Sequence, residues 1–90
     1  METVRNRMIK NKEYAIEAIK GDIIMSITET ICKELNNQNI NLKQFAKKLG
    51  KTDNYVVALL NGNKDIKLSE LAKIAFVLDL RFEIHGKEGV

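Results

Sequence analysis

Ninety residues, 44% of them apolar and 30% charged, describe one small soluble domain, not a disordered tail or a multidomain chain. No run approaches the ~18 apolar residues of a membrane span, and the start of the chain lacks the apolar h-region and cleavage site of a secretory signal. The net charge is a modest +3, and the single cysteine, Cys32, excludes an internal disulfide, in keeping with a reducing cytoplasm.

Residues 1–10 are polar and basic, with Arg5, Arg7 and Lys10, and suit either a frayed terminus or the first turns of a helix. Asn11 is placed to cap a helix running to Lys20, whose apolar residues are Tyr14, Ala15, Ile16, Ala18 and Ile19. Gly21-Asp22 suggests a break. Asp22 would cap the next helix, which carries Ile24, Ile27, Ile31 and Leu35 at helical spacing and ends in the Asn36-Asn37-Gln38-Asn39 cluster. Ile16, Ile19, Ile23, Ile27, Ile31 and Leu35 also form one nearly continuous stripe, which a single helix through Gly21 would use, since an interior glycine costs only ~1 kcal/mol against alanine. Two helices are the favoured reading.

The stretch from Ile40 to Gly62 predicts two short helices and a tight turn. Leu42, Phe45, Ala46 and Leu49 fall at i, i+3, i+4 and i+7, one apolar stripe. Asn41 stands before it as an N-cap, and Gly50 after it, where a backbone with positive φ ends a helix. Thr52 supplies a second N-cap; Val56, Leu59 and Leu60 make the buried side of the next helix, and Gly62 closes it. Asn61 to Asp65 is a loop. Leu68, Leu71, Ala75 and Leu78 then form a further helical stripe widened by Ile74, with Asp79 as its end and Lys67 or Ser69 at its start. Leu80, Phe82 and Ile84 alternate with Arg81, Glu83 and His85, the period of a short strand. A lone strand leaves its backbone unpaired, so it either docks on its own domain or pairs with the same strand of a second chain; the second is favoured. Lys87 to Val90 read as a tail.

Ile40, Asn41, Phe45-Ala46, Leu49-Gly50, Thr52, Val56, Leu59 and Gly62 together resemble the helix-turn-helix of the XRE family, the lambda repressor and Cro-like group. The likeness continues through Ile66-Lys-Leu-Ser-Glu-Leu-Ala-Lys-Ile-Ala-Phe-Val-Leu78 and covers about residues 23–78. It implies an all-α bundle of about five helices, here with a short C-terminal strand. The domain divides into an N-terminal extension helix over 1–21, a core over 22–78 and a strand with tail over 79–90. Asn11 to Asp22 is also similar to the leader helix of HigA-type antidote proteins of toxin–antitoxin pairs, as a plain packing helix would be. The sequence departs from the XRE pattern at Leu42, where the family usually has a phosphate-holding Gln, and at Lys67, where it has a Ser or Thr cap.

In such a fold the second helix of the unit enters the major groove of double-stranded DNA. With Val56, Leu59 and Leu60 turned inward, Asp53, Asn54, Val57 and Ala58 face outward as base readers. Asn54 suits adenine, Asp53 the cytosine amino group, and Val57 or Ala58 a thymine methyl. Asn41, Lys43, Lys51, Thr52, Tyr55, Asn61, Asn63 and Lys64 are candidates for phosphate, with capping as the competing role of Asn41 and Thr52, packing that of Tyr55, and turn geometry that of Asn61 and Asn63. Charge agrees: residues 41–67 hold six lysines against two aspartates, +4, so the remainder of the chain sums to −1. A solvated lysine-rich surface would look the same.

Catalysis has little support. His85 is a lone polar-side histidine, Cys32 reads as a small packed thiol, and neither metal-ligand spacing nor a phosphate-binding Gly-rich loop appears, so no cofactor is expected. The leading expectation is a dimeric, sequence-specific repressor in the cytoplasm, either the antitoxin of a toxin–antitoxin pair, with a toxin as protein partner, or a small phage-type regulator. The competing one is a protein-interaction module with little or no DNA binding, favoured by Leu42 and Asp53.

Overall fold

The computed structural model describes residues 12–86. Within them lie four helices: α1 (Lys12–Asn37), α2 (Leu42–Leu49), α3 (Asp53–Leu60) and α4 (Leu68–Leu78). The expected cap at Asn11, residues 1–10 and the tail from Lys87 lie outside the described residues.

The 26 residues of α1 are one helix, not the two expected. Gly21 does not break it. A break would strip up to four N–H and four C=O groups of their intrahelical partners, a larger loss than the ~1 kcal/mol an interior glycine costs. The expected fifth helix is accordingly absent from the described residues.

Each helix closes in the same way, on a residue with positive φ: Asn39 (56°), Gly50 (71°), Gly62 (73°) and Asp79 (57°). The next amide reaches back five residues, as in Ile40 N–H to the Leu35 carbonyl at 2.9 Å and Leu80 N–H to the Ala75 carbonyl at 2.8 Å. This is the Schellman pattern, which gives otherwise orphaned carbonyls a donor.

Ile31, Leu35, Phe45, Ala46, Leu49, Val56, Leu59, Ile74 and Leu78 form the core, so all four helices contribute. The stripes expected for α2 and α4 are each displaced at one end. Leu42 is exposed although it lies in register with Phe45 and Leu49, because α2 meets the bundle only from its second turn onward. In α4 the core residues are Ile74 and Leu78, with Leu71 and Ala75 half-buried and Leu68 83% exposed. Cys32 is exposed, not packed; it follows Ile31 by one residue and so points about 100° away from the core.

Residues 80–86 form no strand. Leu80 and Phe82 pack against the domain's own core, while Ile84 is fully exposed. The period of two therefore survives as a segment with one side laid on the bundle. With Leu80 and Phe82 held there, the expected strand-to-strand pairing of Leu80, Phe82 and Ile84 has no strand to use. No helix among the described residues is long and apolar enough to cross a membrane.

Candidate nucleic-acid interface

The α2–α3 unit is held at three points. Asn41 and Gln44 form a reciprocal capping box: the Gln44 N–H donates to Asn41 Oδ1 at 2.8 Å, and the Asn41 N–H to Gln44 Oε1 at 2.9 Å. The turn is Gly50-Lys51-Thr52, with Lys51 N–H donating to the Ala46 carbonyl at 2.9 Å. Thr52 Oγ1 then accepts from Tyr55 N–H at 3.1 Å and caps α3. Both Asn41 and Thr52 thus use their side-chain oxygen for capping. Asn41 keeps its amide NH2 for other partners.

Phe45, Ala46 and Leu49 of α2 and Val56 and Leu59 of α3 are buried against one another and against α1 and α4. That anchoring leaves the opposite side of α3 outward. Asp53, Asn54 and Val57 are exposed and Ala58 is half-buried, so the four proposed base readers share the outer side of one short helix. Asp53 also lies in the first turn of α3, where its charge complements the helix dipole without any ligand. Lys47 and Lys48 serve the matching purpose in the last turn of α2.

Besides Asn41 and Thr52, the proposed phosphate contacts divide into two groups. Lys43, Lys51, Asn61 and Asn63 are exposed around the unit. Tyr55 and Lys64 are half-buried and engaged within the protein. The Tyr55 hydroxyl donates to Glu70 Oε2, and Lys64 Nζ lies 3.5 Å from the same oxygen. Lys64 Nζ also sits 4.8 Å, and Lys51 Nζ 5.1 Å, from the centre of the Tyr55 ring, within range of a cation–π attraction.

Glu70 is the residue that the sequence reading overlooked. At the third position of α4 its Oε1 accepts from Lys67 N–H at 2.9 Å. It therefore supplies the N-terminal partner expected of Ser69, and a lysine side chain at Lys67 cannot reciprocate, having no acceptor. The backbone N–H of Lys67, the Tyr55 hydroxyl and the Lys64 ammonium together hold the Glu70 carboxyl down at about 2. Burial first, and the bond to Glu70 second, push the Tyr55 hydroxyl up to about 12. The signal was available: an acid three residues after the N-cap position is half of a capping box. Gln44, three residues after Asn41, carries the same signal.

The family model described as Helix-turn-helix matches residues 33–84, more than half of the chain. Neither a curated protein nor a solved structure matches it. The match begins in the last turns of α1 and takes in α2, α3, α4 and most of the segment behind them. The chain belongs to the helix-turn-helix family of the XRE, lambda repressor-like type, a family of DNA-binding transcription regulators.

Proposed function

We propose that the protein is a sequence-specific transcriptional repressor that binds operator DNA as a dimer in the cytoplasm. The outward side of α3 carries this reading: Asp53, Asn54, Val57 and Ala58 lie opposite the buried Val56 and Leu59, on the helix that this family inserts into the major groove. Lys43 and Lys51 flank it at the start of α2 and in the turn, with Asn41, Thr52, Asn61 and Asn63 nearby for phosphate. Asn54 is the reader of adenine. The DNA-binding unit is a single domain, with most of α1 as an extension ahead of the family match.

Dimerisation supports a palindromic operator, and the surface for it is the outer side of α4. Leu68 and Phe76, two turns apart, are 83% and 87% exposed. Beside Phe76, a groove of about 250 Å³ is lined by Leu68 together with Leu71, Ala72, Ala75 and Phe82. A two-fold axis would set each chain's Phe76 against the other's groove.

The setting we favour is an antitoxin, or a small phage-type regulator. Along α1, Ile16, Ile19 and Ile23 expose an apolar row ahead of the core, suited to covering a toxin. The same row favours the second reading, a protein-binding module without DNA affinity. Selection of bound duplexes from a random pool, followed by titration at two salt concentrations, separates the two. A repressor enriches one motif and weakens ~10-fold or more between ~50 and ~200 mM salt; an interaction module enriches nothing.

A further inference from the structure

We propose that Glu70 is a built-in counter-anion of the helix-turn-helix: its carboxylate holds Tyr55 and Lys64 as a clasp between α3 and α4 and keeps Lys64 from external polyanions. The proposal rests on the DNA-binding reading only for its biological use. Glu70 belongs to α4, Tyr55 to α3 and Lys64 to the loop between them, so one side chain ties all three. Its Oε1 is spent on Lys67 N–H and its Oε2 on both Tyr55 and Lys64. The carboxylate and the lysine are largely sheltered, at 16% and 31% exposure, unlike the chain's other ion pairs among the described residues, in which both partners are more open. A sheltered pair is screened less by salt than an open one.

A phosphate would find in this place a tyrosine hydroxyl and an ammonium group already aimed at an anion. Glu70 fills that role from inside. Tyr55 is then a positioning residue that sets α3 against α4, not a phosphate contact. Lys64 contributes to binding only to the extent that Glu70 releases it. The effect is to hold down sequence-independent affinity, which comes from phosphate neutralisation, while leaving the base-reading side of α3 untouched.

Glu70→Gln isolates the charge. Its Oε1 can still accept from Lys67 N–H, and its amide can donate to the Tyr55 oxygen, which accepts as well as donates. The test compares the wild-type protein, Glu70→Gln and Asp22→Asn on a heparin column. Asp22 is an exposed acid on α1, so the second variant removes the same single charge elsewhere. The expected result is later elution of Glu70→Gln than of Asp22→Asn. On duplex DNA, Glu70→Gln should bind all sequences alike more tightly at low salt, with a salt slope steeper by about one. Equal elution of the two variants would overturn the proposal, since net charge alone would then account for the gain. A second measurement tests the clasp: melting temperatures of Tyr55→Phe, Glu70→Ala and the double variant. The double variant should lose less than the sum of the two singles; additive losses would overturn it. If the wild type binds no duplex while the heparin difference and the coupling persist, the DNA reading falls and the clasp stands.

Discussion

Gln38 Nε2 donates to the backbone carbonyl of Leu78 at 2.8 Å, joining the residue just beyond α1 to the last turn of α4 across forty positions of sequence. The same nitrogen lies 2.8 Å from Glu34 Oε1, so its two hydrogens are both placed. Leu78 is fully buried, and its carbonyl is one of the four that α4 cannot satisfy internally. Replacing Gln38 with Leu keeps the size and removes the donor. The expected loss is about 0.5–1.5 kcal/mol in a urea titration, seen as a lower midpoint with an unchanged slope.

Gly50 invites a backbone test of the turn between α2 and α3. Its φ of 71° is strained for any residue with a side chain, whereas the space is open: an added Cβ would meet only the end of the flexible Lys73 at 3.7 Å. Gly50→Ala should therefore cost roughly 1–2 kcal/mol from conformation alone. Thermal unfolding should show that loss unchanged when Lys73 is also shortened to Ala. A loss that disappears with Lys73→Ala would assign the cost to crowding.

The helix-turn-helix was legible because its signals are local. Asn41, Gly50, Thr52 and Gly62 each mark a helix end by their own chemistry, and Phe45, Ala46, Leu49, Val56 and Leu59 mark the buried sides. What was not legible depends on distant partners. The Tyr55–Glu70 bond joins residues fifteen apart, and Gln38–Leu78 residues forty apart; no periodicity encodes either. Gly21 misled because a helix interior tolerates a glycine that composition alone makes look like a boundary. Leu80, Phe82 and Ile84 misled for a related reason: alternation states which side is apolar, not whether the backbone finds a ladder.

The Tyr55–Glu70 pair gives stability two pH limits. The folded Glu70 carboxyl sits near 2, below its ordinary value of 4.5. Its contribution is present in full above pH 4.5 and is lost as pH falls toward 2. Tyr55 is raised from 10 to about 12, so its contribution is present below pH 10 and is lost as pH rises toward 12. Melting temperature followed across pH should fall less on the acid side for Glu70→Gln, and less on the alkaline side for Tyr55→Phe, than for the wild type. Parallel curves on both sides would contradict the assignment.

On DNA, the proposed base reader and phosphate contacts should behave differently. Asn54→Ala should relax preference at one base step and lower specific affinity by about 1–3 kcal/mol, with non-specific binding unchanged. Lys43→Glu with Lys51→Glu should weaken all duplexes alike and flatten the salt slope. Competition assays on the selected operator and a scrambled duplex distinguish the two patterns. An Asn54→Ala protein with intact specificity would remove Asn54 from the reading set.

Phe76 separates the proposed dimer surface from the folding core. It is 87% exposed on α4, while Phe82 packs against the core from the segment behind it. A charge at Phe82 would therefore damage the fold before it reported on assembly. A charge at Phe76 meets only solvent in the monomer. Phe76→Asp should leave the melting temperature at infinite dilution unchanged and shift sedimentation from dimer to monomer. It should also weaken binding to a two-half-site operator far more than to a single half-site, because the loss is in joining the chains and not in reading the bases. A dimer that persists in Phe76→Asp would move the interface away from α4, and the apolar row of Ile16, Ile19 and Ile23 on α1 would be the next surface to charge.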